Sequence, residues 1–186
     1  ESLLLLSADV GGRELLDRLD DSPRLVDRSR LGVVDCAGMG DGEDRRFATH
    51  GDPISHPGDL TSIEVEFSLL YEKLAAANPR GVRVGLFSLS ALLAHAPLRE
   101  VSRFVHMLTG RVIATDDLGV FVVDAAREPP ETVETMSHFC DRHIRVRRGE
   151  DGLELRVERR AGEADGGTAA VYDVGGLGWG DDAAER

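Results

Sequence analysis

The chain predicts an α/β fold with a mainly parallel sheet and a C-terminal antiparallel hairpin, from three observations. Short apolar runs at Leu3–Leu6, Leu31–Cys36, Val82–Phe87 and Leu118–Val123 alternate with segments whose apolar residues recur at three and four. These runs are apolar on both faces, as in strands buried inside a parallel sheet. The pattern then changes: His143–Arg148 and Leu153–Arg159 alternate apolar and charged residues around Glu150-Asp151-Gly152. That is a hairpin pattern with one solvated face, expected at the edge of the sheet.

Length and composition fit one domain over residues 1–160, followed by a flexible Gly/Asp/Ala-rich tail over 161–186. A chain of 186 residues buries about 70% of the surface it exposes when unfolded. The formal net charge of −12 disfavours nucleic acid and anionic membranes, whose binding draws on Lys and Arg. Of the 22 basic residues only Lys73 is a lysine, which suggests a GC-rich, salt-adapted source. Two isolated cysteines, Cys36 and Cys140, and no signal-peptide pattern fit a reducing cytoplasm. No apolar run approaches the ~20 residues of a membrane span.

Each element follows from its residues. Leu3–Leu6 is a strand ending in Ser7-Ala8-Asp9, and Gly11–Asp21 a helix with Leu15, Leu16 and Leu19 inward, stopped by Ser22-Pro23. After strand Leu31–Cys36, the acidic, glycine-rich 40–46 stretch is a surface loop and Phe47–Thr49 a short edge strand. Thr61 and Glu64 have the spacing of a capping box, opening a helix with Leu60, Ile63, Phe67, Leu70 and Leu74 along one stripe. Asn78-Pro79 ends it. Val82–Ser90 is the organising stretch, a buried strand running into a turn and the short helix Ala91–His95. Leu98–Leu108 is a separate helix, Leu118–Val123 a strand, and Pro130–Cys140 a helix with proline in its first turn. Tyr172 to Trp179 holds the tail's few large apolar groups.

In an α/β sheet ligands sit at the carboxyl ends of strands, so Ser88, Ser90 and Asp124 mark the expected site. His138, Cys140 and His143 invite a zinc reading. Zinc needs four converging ligands, however, and positions two apart on a helix diverge; two core residues and a surface histidine fit better. His50, His56 and Asp52 support a metal no better. Ser88 and Ser90 lack a nucleophile-elbow motif and a partner base. His106, among apolar residues on its helix, reads as a partly buried histidine with a satisfied partner.

The arrangement resembles the RecA-like ATPase core, in its KaiC-like branch, across residues 2 to 160. Leu5-Leu6-Ser7-Ala8-Asp9 resembles that family's second strand, Phe87-Ser88-Leu89-Ser90 its Walker B strand end, and Leu118–Asp124 the strand after it. The stretch Cys140–Val146 with Leu153–Arg160 resembles the closing hairpin, while Pro57–Thr61 and Phe104–Gly110 look like haloarchaeal members. The resemblance implies a RecA-like three-layer αβα fold. It places Asp9 at the catalytic carboxylate, Ser88, Ser90 and Asp124 at the ligand cleft, and Arg159 and Arg160 where oligomeric relatives reach a neighbour's nucleotide. Each has a plainer reading, as helix cap, strand-end cap or solvated edge residue.

Two departures bear on function. A phosphate-binding loop needs Gly-x-x-x-x-Gly-Lys-Ser/Thr, and the nearest stretch, Ser7–Glu14, offers serine, arginine and glutamate in place of glycine, lysine and the hydroxyl. Phe87 stands where active relatives carry the magnesium-holding aspartate. The leading expectation is therefore a non-hydrolytic regulatory or interaction domain, with no cofactor for this chain and a protein partner or self-association. One alternative is an ATPase whose phosphate loop lies upstream of residue 1, with ATP and magnesium bound only then. Another is a structural module that self-associates through its hairpin edge or the Ala91–Gly110 face. If an interior strand preceded Glu1, its absence would leave neighbouring strands unpaired unless the sheet closes differently.

Overall fold

The computed structural model describes residues 1–20, 28–37, 54, 56–148, 153–159 and 170–173. They fall into two units, Glu1–Thr135 and Met136–Arg186. The first contains a four-stranded sheet: β1 (Ser2–Ser7), β2 (Leu31–Asp35), β3 (Val82–Phe87) and β4 (Leu118–Phe121). Every pairing is parallel and the order is β2-β1-β3-β4. β1 is interior, as its two apolar faces require. It pairs directly with β2 on one side and β3 on the other, so the described strands close without a gap between them.

Helices cover this sheet unequally. On one face α1 (Gly12–Asp20) packs Leu15 and Leu16 against Leu5 and Val33, with Leu3, Leu19 and Leu31 around them. On the other lie α2 (Leu60–Ala77) and α4 (Leu98–Ala114). α2 approaches so closely that a Cβ on Gly32 would stand 3.0 Å from Leu74 and 3.1 Å from Leu4. Only glycine leaves that room. The cap of α2 is Asp59, whose carboxylate accepts from Ser62 N at 3.1 Å, rather than Thr61. The helix begins one residue before Thr61, which places that threonine inside the first turn.

Other boundaries moved for physical reasons. Ser88 caps the short helix α3 (Leu89–Leu93), so it starts two residues before Ala91. α4 runs past Leu108 to Ala114 because Thr109 and Val112 extend its buried stripe. His106 lies off that stripe and is exposed, not partly buried. α5 (Pro130–Ser137) is shorter than expected, ending in tight turns from Phe139 N to Met136 O and Cys140 N to Ser137 O. The expected loop at 40–46, strand at 47–49 and stop at Ser22-Pro23 lie outside the described residues.

The second unit carries its own sheet. β5 (Arg142–Arg148) and β6 (Leu153–Arg159) form the expected antiparallel hairpin, and β7 (Ala170–Asp173) pairs with β6. The hairpin therefore belongs to a separate three-stranded sheet rather than to the edge of the parallel one. Its third strand comes from the stretch read as a tail.

One core position breaks the hydrophobic rule. Glu66 on α2 is 3% exposed, and its Oε2 has no hydrogen-bond partner. A carboxylate buried without full pairing is costly. Glu66→Met, of similar volume, is expected to stabilise the fold by about 1–3 kcal/mol, read as a higher denaturant midpoint at unchanged slope.

Candidate functional site at the carboxyl ends of the strands

The strands deliver their last residues to one rim. Ser7 of β1 is the register neighbour of both Asp35 of β2 and Phe87 of β3. Backbone bonds lock the rim together: Ala8 N donates to Phe87 O at 2.5 Å, Cys36 N to Ser7 O at 2.8 Å and Leu89 N to Val122 O at 2.7 Å. The Phe87–Ser88 peptide bond is cis. The Phe87 side chain lies over Gly85, whose Cβ would stand 3.2 Å from the ring, and it remains 38% exposed.

Between β1 and α1 the chain makes a strand–turn–helix passage, over the stretch Ser7–Glu14 that comes nearest to a phosphate-binding loop in the sequence. Ser7 Oγ closes the turn by donating to Val10 O at 2.6 Å. Gly12 N, an amide at the helix start with no partner within the helix, donates to Asp35 Oδ2 at 2.8 Å. Ala37 N donates to Asp35 Oδ1 at 3.0 Å, so both oxygens of this carboxylate are engaged. A Cβ on Gly12 would stand 3.2 Å from Asp35 Oδ2, and glycine permits the approach. The favourable charge at the helix start is thus met by the protein's own anion.

Several of the residues singled out from the sequence meet here. Ser88 Oγ accepts from Ala91 N at 3.4 Å as the α3 cap, and Ser90 Oγ, 2% exposed, accepts from Asp124 N at 3.0 Å. Asp124 Oδ1 in turn accepts from Ala126 N at 3.0 Å. These groups hold backbone in place. Asp9 is exposed in the β1–α1 turn. Arg159 belongs to the second unit, ending β6 opposite Arg142, and Arg160 lies outside the described residues.

Neither thiol is poised as a nucleophile. Burial, with Asp35 beside it, pushes the Cys36 thiol far up, and burial with Asp141 raises Cys140. Cys140 and His143 are half-buried rather than core, and His143 Nε2 lies 2.9 Å from Ser137 O. His56 accepts from Gly58 N through Nδ1 at 2.9 Å and packs edge-on to His95. His50 and Asp52 fall outside the described residues. Among the described residues, no three His, Cys, Asp or Glu converge as a metal site, and no helix is long and apolar enough to cross a membrane.

Asp35 was not singled out from the sequence, although an aspartate ending the strand beside β1 is a capping signal. A second polar cluster was also missed, at the opposite, amino end of the sheet. There Tyr71 donates to Asp117 Oδ2, Val82 N donates to Asp117 Oδ1 at 2.9 Å, and Thr115 Oγ1 donates to Asp117 Oδ2 at 2.9 Å. The Arg111 guanidinium lies 5.0 Å from the centre of the Tyr71 ring. A shallow cleft of about 210 Å³ opens nearby, where Arg83 forks onto Glu1 at 2.7 and 3.2 Å.

Solved structures share this architecture. A KaiC-like protein from Pyrococcus horikoshii OT3 superposes with a TM-score of 0.56 at 9% identity, over 92% of this chain and 71% of its own. An uncharacterized protein from Pyrococcus horikoshii, solved in complex with an unknown peptide, gives a TM-score of 0.52 at 13% identity over 86% of this chain and 71% of its own. The fold is accordingly RecA-like, with KaiC-like neighbours. No curated protein matches the chain in sequence. The model of a family of unknown function, DUF7504, matches residues 1–146, and the chain belongs to that family.

Proposed function

We propose that this chain is a non-hydrolytic member of the RecA/KaiC-like fold, serving as a regulatory or interaction domain. The observation that carries the reading is the Asp35 carboxylate on Gly12 N, at the start of the helix that follows the stretch nearest to a phosphate loop in this chain. A phosphate there would displace a charge-assisted hydrogen bond and face a fixed negative charge, and Glu14 follows Arg13 where a phosphate loop carries its hydroxyl. ATP and magnesium do not fit these residues. Phe87, at the position that resembles a Walker B acid, offers no oxygen to a cation shell.

The surroundings support a protein partner in place of nucleic acid or membrane, because the net charge of −12 opposes phosphate-rich surfaces. The cysteine usage and the nearly lysine-free basic set support a cytoplasmic domain from a salt-adapted organism. Isothermal titration of Mg-ATP into the chain tests the core of the reading. No saturable heat is expected, and no phosphate release. Saturable binding at micromolar nucleotide would overturn it.

A further inference from the structure

α4 buries Val101, Phe104, Val105, Leu108 and Val112 on one side. On the opposite side Arg99, Arg103, His106, Gly110 and Ile113 follow one another at intervals of four, three, four and three. Those intervals keep them on one line along the helix, as in the seam of a coiled coil. All are exposed, Ile113 by 68%. The line lies away from the side that packs toward the sheet, so its exposure does not depend on which strands the sheet holds.

Three choices along this line work against the stability of the chain by itself. Gly110 stands inside the helix, where glycine lowers the folding equilibrium about fivefold relative to alanine. Beyond the local helix backbone, a Cβ there would meet nothing within 4 Å, so no neighbour in the chain calls for a glycine. Arg99 and Arg103 are four apart, a spacing at which like charges repel. They also lie in the first two turns, where the helix start is itself positive. Neither makes an ion pair among the described residues, and Glu100 is the only carboxylate of the helix. A basic line of this kind is out of keeping with a chain of net charge −12. Where local choices oppose the fold, function is the usual reason.

We propose that α4 is a docking helix for a partner protein, which lays an acidic helix along this line. The partner's carboxylates neutralise Arg99, Arg103 and His106. An apolar side chain of the partner enters the open step at Gly110 and packs on Ile113, and the glycine lets the two backbones approach. Running parallel to α4, the partner carries its carboxylates in its own first half, where a helix favours them. Phosphate polymers match the line less well: they have no use for the step at Gly110 and Ile113, and the chain as a whole repels them. The proposal rests on the interaction reading above, but not on the nucleotide result, which the Mg-ATP titration reads separately.

Fluorescence anisotropy of a labelled four-heptad helical peptide tests it on the full chain, with Glu along the first half of one seam and Leu along the second. Saturable binding is expected below about 100 µM, weakening as salt rises. The same peptide with Lys in place of Glu does not bind. Arg103→Glu keeps the circular dichroism spectrum and weakens the peptide by about tenfold or more. Gly110→Leu separates fold from docking: it raises the denaturant midpoint at unchanged slope, yet weakens the peptide by about tenfold. Arg18→Glu, at an exposed position on α1, leaves binding unchanged. No binding of the Glu peptide, equal binding of both peptides, or indifference to either α4 substitution overturns the proposal. So does duplex DNA or a second copy of the chain that binds through Arg103 where the peptide does not.

Discussion

Phe67→Ala is expected to lower the unfolding free energy by about 3–5 kcal/mol, the largest effect of any substitution considered for this chain. Phe67 is fully buried on α2, its ring centre 5.6 Å from that of Tyr71. α2 packs on β1, β2 and β3 and against α4, so the truncation opens a void where helix and sheet meet. The fully buried side chains of the underlying sheet, Leu4, Leu6, Val34, Val82, Val84 and Leu86, sit on paired interior backbone and have little freedom to collapse into it. Val65→Ala is the control: Val65 is 53% exposed on the same helix, and its truncation is expected within about 0.5 kcal/mol of neutral. Equilibrium denaturation with an unchanged slope is the measurement. A loss below about 1 kcal/mol for Phe67→Ala would mean that α2 is not seated as described.

The same helix shows what the sequence carries and where it stops. The recurrence of Ile63, Phe67, Leu70 and Leu74 announces a buried stripe, because helical period and burial share one geometric cause. Glu66 and Tyr71 share that buried face, and neither is legible as part of it. The placement of Tyr71 depends on Arg111, Thr115 and Asp117, on α4 and the turn after it, which no local pattern encodes. β1 shows the same division. Its apolar run implies an interior strand, but the run does not say that β3 would be its direct neighbour. The site is harder still. The strand-end positions of Ser88, Ser90 and Asp124 were legible because a strand end is a local feature, and there they hold backbone in place. The Asp35–Gly12 contact joins residues 23 apart and exists only through the β1–β2 register. β4 was read as apolar throughout; that among the described residues it pairs with β3 alone follows from topology and not from its own sequence.

Asp117→Ala is expected to cost about 2–3 kcal/mol, more than its half-exposed position would suggest. The carboxylate holds Val82 N at the first residue of β3 and accepts from Tyr71, which is 2% exposed. Removing it leaves the Val82 amide without its acceptor and the Tyr71 phenol with Thr115 Oγ1, 2.5 Å away, as its remaining partner, and unmade bonds at shielded groups are the expensive kind. Gly81 belongs to the same unit: its φ of +93° suits glycine, and a Cβ there would collide with Asp117 Oδ1. Burial alone would raise the Asp117 pKa. The bonds from Tyr71, Val82 and Thr115 outweigh it and hold the group below its ordinary value. Because the folded pKa is depressed, the contribution is complete above the unfolded value of about 3.9 and is lost as pH falls through the folded one. The partner moves the other way, since burial and the bond to Asp117 raise the Tyr71 hydroxyl and keep it a donor at neutral pH. Asp117→Asn separates charge from geometry. Its amide oxygen still accepts from Val82 N, so about 1 kcal/mol is expected at neutral pH, with the gap to the parent chain closing below pH of about 4. Chemical denaturation of both chains across that range reads the difference directly. A gap that stays constant into acid would show that the charge of Asp117 contributes nothing, and that only its shape holds the start of β3.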